Sequence, residues 1–486
     1  MPIFLLLLLL TACSPLEYDP GCSGEVACGP DHYFESCKFP PCQMEEEQIS
    51  AYEFKKGMTL TEIMDIALRS NPTTKRAWAQ ARADAQAYQQ SKSNCYPRID
   101  GYGIFDNIDQ ETKLRPADGG FNGGASLGYY RTWTNELNIS YLIFDFGGRD
   151  YNILAYKMAL FSSNWNHVQS IQDVMNNVLL AYYNYIENKA LVKAKELDIR
   201  DSLANLDVAQ ASYEAGIKTK VDLLQAQSNL ANTQLELEQL QGMVKIAIGQ
   251  LTTALGMQPN APLDVEEIPE QIPVKEIYSS LADLIELAKV TRADLKAYQS
   301  TYIQSYYELE RSRSVFMPKF TANLNMQKVN YTHSPILETH NYDTTLAIEI
   351  PFFNGFYDTY EIKKRNELVN LAYQSWAEKE QSVLLDVLTT YTDFETSKQQ
   401  LKTSEEFLKF AQESYTLTFE SYKAGVVSFV DLLASQTQIS TARARRIEAI
   451  TNWVRSLSRL AYSVGILMVY DNGPSLKPDI EEIQKE

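Results

Sequence analysis

A motif with a carboxylate at its centre occurs twice in the chain. Residues 213–227 and 422–436 align at an offset of 209 and share eight of fifteen residues. At average residue usage, unrelated segments would share about one. Asp222 and Asp431 hold matching positions, each three residues after a Thr or a Ser, which is the spacing of a capping box at a helix start. Local physics alone therefore explains both carboxylates as helix caps, placed where negative charge is favoured.

Each copy of the motif also contains a glycine where a helix would end. Gly216 and Gly425 each follow a tyrosine by three residues, Tyr213 in the first copy and Tyr422 in the second. A glycine with positive φ commonly closes a helix. Each motif is therefore predicted to be the turn of a helical hairpin.

The chain begins with an apolar run that is typical of an export signal. Six leucines, residues 5–10, precede Thr11, Ala12 and Cys13, and this junction resembles a bacterial lipobox, in which the cysteine is lipidated. Residues 1–12 are therefore predicted to be a signal peptide and Cys13 a lipid anchor. A plain secretory signal is the alternative.

Four further cysteines lie close together: Cys22, Cys28, Cys37 and Cys42. Clustered cysteines in an exported chain are typical of disulfides, here two. Free thiols and a metal site are the alternatives. Cys95 stands apart, and we predict it to be buried as a small apolar side chain.

The sequence indicates neither an enzyme nor a nucleic-acid-binding protein. It lacks metalloprotease, serine-hydrolase and phosphate-loop motifs, and its four histidines show no ligand spacing on one helix. We expect no catalytic site, no metal and no cofactor. The net charge of −18 argues against a nucleic-acid partner.

Long helices must position the two motifs. Residues 150–214 and 357–423 contain no Pro and no Gly, and each would form a rod of roughly 100 Å. Heptad patterns follow both motifs, with one seam rich in small residues, and they predict helices packed side by side.

Segments with alternating apolar and polar residues precede the long helices. In 129–144 one face carries residues such as Trp133 and Ile143, and the other face is polar; 342–350 alternates likewise. Such strands suit either a soluble sandwich or a lipid-facing barrel. Four strands cannot close a membrane barrel alone, because their edges would leave backbone groups unpaired in lipid. Two or three copies of the chain would close it with eight or twelve strands.

Taken together, the duplication, strand pairs, long helices and turn motifs resemble the TolC family of outer-membrane factors, over nearly all of residues 52–468. The resemblance implies a homotrimer whose twelve strands form one β-barrel in outer-membrane lipid, continued by an α-helical barrel in the periplasm. It also implies a periplasmic adaptor and an inner-membrane pump as partners. The expected adaptor-docking residues are Tyr213, Gly216, Tyr422 and Gly425.

The resemblance further implies a gate at the hairpin turns. Asp431 matches an inward acidic ring, and Tyr422 would hydrogen-bond to Asp222 in the closed state. The sequence departs from the family at two positions. Val427 stands where some members have an Arg, and Ala434 where some have a second ring Asp.

The predicted fold class is an α+β membrane protein, organised along the chain as follows: signal peptide 1–12; lipid-anchored, cysteine-rich linker 13–50; first repeat 51–256, with strands about 98–145 and hairpin 149–256; equatorial segment 257–285; second repeat 286–468, with strands about 319–351 and hairpin 357–467; tail 469–486. The predicted function is a gated exit duct of an efflux pump or a type I secretion system. A passive porin and a coiled-coil scaffold are the alternatives.

Overall fold

The computed structural model describes residues 57–113, 125–263, 265, 280–332 and 336–467. The predicted signal peptide, Cys13 and the four clustered cysteines lie outside the described residues. So do about half of the predicted equatorial segment and the whole C-terminal tail. No helix within the described part of the chain is long and apolar enough to cross a membrane.

Both repeats have the same order of elements. The first contains α1 (Leu60–Ser70), α2 (Pro72–Lys92), β1 (Arg98–Lys113), β2 (Ala125–Phe144), α3 (Gly148–Glu214) and α4 (Lys220–Ala254). The second contains α5 (Leu281–Thr291), α6 (Ala293–Arg313), β3 (Lys319–Thr332), β4 (Glu338–Glu349), α7 (Tyr357–Lys423) and α8 (Phe429–Val464). The two longest helices, α3 and α7, have 67 residues each.

The compact units of the structure do not coincide with the two repeats. One unit, here called the helical unit, comprises the described residues within 57–83, 162–298 and 376–467. The other, here called the sheet unit, comprises 84–161 and 299–375. Each repeat thus contributes to both units, so the duplication is not a pair of separate domains.

The sheet unit contains one antiparallel sheet with the strand order β1-β2-β3-β4. The apolar face predicted for β2 is exposed on this sheet: Trp133 is 50% and Ile143 44% accessible. On the opposite face Thr132 and Thr134 are buried. No second sheet covers the apolar face among the described residues, which contradicts the sandwich alternative and leaves a surface suited to lipid.

Small residues line the seam along α8. Its buried positions recur at seven-residue intervals, as the heptad pattern predicted, and include Ser435, Ala442, Ala449, Ser456 and Ser463. Small side chains permit close helix approach.

Cys95 is only half-buried, so the prediction that its side chain is buried is wrong. It lies in the short 3₁₀ turn after α2, not inside a helix core.

Candidate gate at the hairpin tips

Each long helix ends in a tight turn that leads into the next helix. We call residues 215–219 the first tip and residues 424–428 the second tip. In the first tip the N–H of Gly216 donates to Tyr213 O, and that of Ile217 donates to Ser212 O. The second tip repeats this pattern with Gly425 and Val426. Both turns are therefore Schellman motifs, and both glycines have the positive φ that the sequence predicted, 72° and 75°.

The second tip has the predicted capping box. The backbone N–H of Asp431 donates to the Ser428 hydroxyl, and the Asp431 carboxylate accepts from the backbone N–H of Ser428 at 3.1 Å and from its hydroxyl at 2.6 Å. These hydrogen bonds hold the pKa of Asp431 below its usual range. Asp431 is thus a helix cap, and all of these bonds to its carboxylate use Oδ2.

The first tip lacks this capping box, so the prediction for Thr219 and Asp222 is wrong. Thr219 is the N-cap of α4, but its side chain makes no capping hydrogen bond. The turn is closed by the backbone alone, with the N–H of Asp222 donating to Thr219 O at 3.2 Å. The half-buried Asp222 carboxylate therefore lacks the capping hydrogen bonds that the Asp431 carboxylate accepts.

Tyr422 is 1% exposed and belongs to the apolar core beside the tips. Its ring packs edge-on against Phe429 with 5.6 Å between ring centroids. Burial raises the pKa of Tyr422, and the Asp222 carboxylate raises it further. Within the described part of one chain the Tyr422 hydroxyl has no hydrogen-bond partner.

Two expectations for Tyr422 therefore need correction. Its side chain is buried within the chain, so it does not form an exposed docking surface. The predicted hydrogen bond to Asp222 is also absent within the described part of one chain, where the buried Tyr422 hydroxyl has no hydrogen-bond partner.

A lysine that sequence reasoning missed makes the polar link between the tips. Lys218 Nζ donates to Val427 O at 3.4 Å and lies 5.1 Å from the centre of the Tyr422 ring. Lys218 and Val427 hold equivalent positions in the two motifs. A signal was present in the sequence, because this pair is one of the few positions where the motifs differ in charge.

Exposed apolar side chains surround the tips. The first tip and the helix after it present Ile217 at 70% and Val221 at 60% exposure; the second presents Val426 at 77% and Val430 at 60%. Tyr213 is 40% exposed. The expectation of a docking surface named the tyrosines and glycines of the motif and did not include these exposed aliphatic residues.

Along the helices that lead to and from the tips, a buried polar layer joins the two repeats. Arg443 of α8 contacts Asp198 and Asp201 of α3 at 2.7 Å each. Gln436 of α8 accepts from Asn205 of α3 at 2.8 Å and from Asn229 of α4 at 2.9 Å. Such a layer fixes one register of the helices, because shifting any helix would leave buried polar groups unpaired.

A second buried ion pair lies where α5 meets α6. Arg292 and Asp294 form a salt bridge of 2.6 Å, and Lys379 of α7 contacts Asp294 at 2.8 Å. Burial alone would raise the pKa of Asp294, but the hydrogen bonds from both cations outweigh it and lower the pKa to about 2. Asp294 therefore stays ionised and ties α6 to α7.

An antiparallel sheet with an exposed apolar face, joined to duplicated long helical hairpins, defines the fold of an outer-membrane channel. The chain belongs to the outer membrane efflux protein family, whose model matches residues 63–257 and 276–465. It is an outer-membrane exit duct for efflux or secretion and extends into the periplasm, as the resemblance to the TolC family implied.

Individual relatives are distant in sequence but match most of the chain. Protein CyaE of Bordetella pertussis is 23% identical over 404 residues, which cover 80% of each chain. Among solved structures, the CmeC outer membrane channel of Campylobacter jejuni matches with a TM-score of 0.73 at 15% identity, covering 93% of this chain and 98% of that one. The outer membrane protein VceC of Vibrio cholerae gives 0.72 at 15% identity, covering 84% and 96%.

Proposed function

We propose that three copies of this chain form one lipid-anchored duct, closed at the hairpin tips, that receives its cargo from a periplasmic adaptor and an inner-membrane pump. The chain would perform transport without a catalytic step. The observation that supports this proposal most strongly is the four-stranded sheet of the described residues, with its exposed apolar face.

The sheet argues for assembly because each of its outer strands has one neighbour. Among the described residues, β1 pairs only with β2 and β4 only with β3. In lipid, each unpaired backbone group would cost several kcal/mol. Three copies placed edge to edge would pair β1 of one copy with β4 of the next and give twelve strands, an allowed number for an outer-membrane barrel.

The mass of the assembled particle tests the trimer. Native mass spectrometry of the detergent-purified chain should show three copies per particle. A stable dimer, which would give eight strands, would refute the trimer. A detergent-free soluble monomer would instead support the scaffold alternative.

The lipid anchor rests on the sequence around Cys13. Metabolic labelling with palmitate should mark the parent protein and leave Cys13→Ala unlabelled. Equal labelling of the two would contradict an anchor at Cys13. The Cys13→Ala variant should still form the trimer, because the barrel does not depend on the anchor.

Docking of an adaptor is proposed at the tips, through the exposed aliphatic residues around Gly216 and Gly425. A Cβ added at either glycine would meet nothing within 4 Å. Substitution therefore strains the backbone by about 1 kcal/mol without creating a clash. We expect Gly425→Val to reduce adaptor crosslinking while trimer yield is retained. Equal loss of both would mean that the glycine serves folding alone, and intact crosslinking would favour a passive porin.

The tips are also the proposed gate. In a trimer, three Asp431 carboxylates around a narrow entrance would attract cations, with Oδ1 available because the cap uses Oδ2. We expect Asp431→Ala to abolish block by multivalent cations added on the periplasmic side of a planar bilayer. If this variant is blocked like the parent but unfolds at a lower temperature, Asp431 is a cap only.

A further inference from the structure

A groove in the sheet unit, beside the start of β1, is lined by three arginines. It has a volume of about 900 Å³, and Arg98, Arg149 and Arg311 all line it. These side chains come from the start of β1, the first turn of α3 and the last turn of α6. Among the described residues that line the groove, the acidic one is Asp145. The lining therefore carries an excess of positive charge.

Arg149 is oriented but not neutralised. Its Nη1 donates to Leu142 O at 3.1 Å and to Asn94 O at 3.4 Å, two backbone carbonyls without net charge. Its Nε is buried and has no hydrogen-bond partner in the described chain. The Asp145 carboxylate accepts from the backbone N–H of Arg149 at 2.7 Å, so it caps the helix and does not pair with the guanidinium.

The other two arginines differ in how far they are paired. Arg311 Nη1 donates to the neutral amide oxygen of Asn152 at 2.8 Å, which leaves its charge uncompensated there. Arg98 forms a salt bridge of 2.8 Å with Asp100, and its side chain is 76% exposed. Arg311 therefore adds more uncompensated positive charge to the groove than Arg98 does.

The strand register places this groove on the polar face of the sheet. Arg98 pairs with Ser140, and Ser140 pairs with Asn323, so these three residues share one face. All three line the groove. The apolar residues Ile99 and Ile139 lie on the opposite face, which suits lipid. An anion in the groove is therefore reached from the aqueous side of the sheet.

We propose that this groove is an anion-binding site for a carboxylate or a phosphate. Nη2 of Arg149 would bind the anion, with added charge from Arg311 and Arg98, because in the described chain this nitrogen makes no hydrogen bond and, unlike Nε, is not buried. Charge-assisted hydrogen bonds from a planar guanidinium suit a carboxylate or a phosphate. Binding of an anion in this groove does not depend on the proposed function. The position of the site inside the duct, with three copies around it, rests on the proposed function.

Isothermal titration of the full chain in detergent with pyrophosphate tests the proposal. We expect saturable binding to the parent, and loss of affinity by about tenfold or more in Arg149→Gln, because a charge-assisted contact is removed. Arg149→Lys should bind with intermediate affinity, since it keeps the charge and loses the fork. Because Arg149 also contacts Leu142 and Asn94, Arg311→Gln provides a variant that leaves those contacts intact and should bind several-fold more weakly.

The matched control is Arg313→Gln. Arg313 lies two residues from Arg311, forms a salt bridge with Glu310 and does not line the groove. This variant should bind pyrophosphate like the parent. If no binding saturates, or if Arg149→Gln and Arg311→Gln both bind like Arg313→Gln, the site does not exist.

A second arm of the experiment identifies the source of the anion. Native mass spectrometry of the purified parent would show whether a phospholipid is retained. Retention in the parent and loss in Arg311→Gln would assign the site to a lipid phosphate, and absence of lipid with pyrophosphate binding would assign it to a dissolved anion. The same spectra report the number of copies, so failure of the trimer and failure of the anion site are separate results.

Discussion

The two hairpin tips come from one duplicated motif but are stabilised in different ways. The second tip has a side-chain capping box at Asp431 and an apolar core in which Tyr422 packs against Phe429. The first tip has the same backbone turn but no side-chain cap, and its motif carries Lys218 and Lys220 at the positions of Val427 and Phe429. The shared glycines thus give both motifs the same backbone turn. The residues that follow each glycine determine which side-chain contacts stabilise that turn.

The differences between the tips are complementary. Lys218 and Lys220 of the first motif correspond to Val427 and Phe429 of the second. Phe429 forms the core at the second tip, and Lys218 covers the Tyr422 ring and binds Val427 O. The second copy of the motif therefore supplies the apolar contacts, and the first copy supplies the lysine that lies near the Tyr422 ring.

The largest effect is expected when the apolar core of the second tip is removed. Phe429 is 2% exposed, so Phe429→Ala should lower the free energy of unfolding of this region by about 3–5 kcal/mol. The matched control is Lys220→Ala at the equivalent, exposed position, which should cost less than about 0.5 kcal/mol. Hydrogen exchange of the helices beside each tip measures both, and similar losses would contradict the difference between the tips.

Removal of the two N-caps should have a smaller and unequal effect. Ser428→Ala deletes a capping hydrogen bond and should destabilise the start of α8 by about 1 kcal/mol. Thr219→Ala deletes no side-chain capping bond and should change stability far less. Thermal melting of the two variants in the same detergent compares them. Equal destabilisation would show that Thr219 caps α4 in solution.

The capping box also predicts a pH dependence at the second tip. Because folding lowers the pKa of Asp431, its contribution to stability is present above its ordinary value of 3.8 and is lost as the pH falls through the lower folded value. Asp431→Asn should therefore melt below the parent at pH 6, and the gap should narrow towards pH 3. Asp222→Asn, which removes no capping bond, serves as the comparison. A gap that is independent of pH would show that the carboxylate charge does not matter.

The smallest effect is expected from Tyr422→Phe. The hydroxyl is buried without a hydrogen-bond partner in the described chain, so its removal should leave stability unchanged or slightly increased. The family resemblance alone would predict a higher channel conductance, through loss of a bond to Asp222. Melting temperature and conductance of this variant, both equal to those of the parent, would support the structure. A clear rise in conductance would show that the hydroxyl bonds in the assembled duct.

The architecture was predictable from the sequence because its signals are long and periodic. The absence of Pro and Gly from 150–214 and 357–423 predicted the two long helices, and the alternation in 129–144 predicted a strand with one apolar face. The glycine turns also followed, since positive φ at Gly216 and Gly425 depends on local backbone geometry.

The site was less predictable because it depends on contacts between distant segments. The spacing at Thr219 and Asp222 equals that at Ser428 and Asp431, yet one cap forms and the other does not. The pairing of Lys218 with Val427 O, 209 residues away, is set by helix packing. The layer around Arg443 and Asp198 likewise joins helices of different repeats, which no local pattern reveals.

Single-channel conductance of Lys218→Met and Lys220→Met in planar bilayers tests most directly whether the tips close the duct. Both substitutions remove one positive charge, Lys218 from the first tip and Lys220 from the first residue of α4, but Lys218 alone of the two reaches Val427 O and the Tyr422 ring. We predict that Lys218→Met conducts more than the parent and that Lys220→Met conducts like it. If the two variants conduct equally, whether raised or unchanged, the link between the tips does not hold the duct shut.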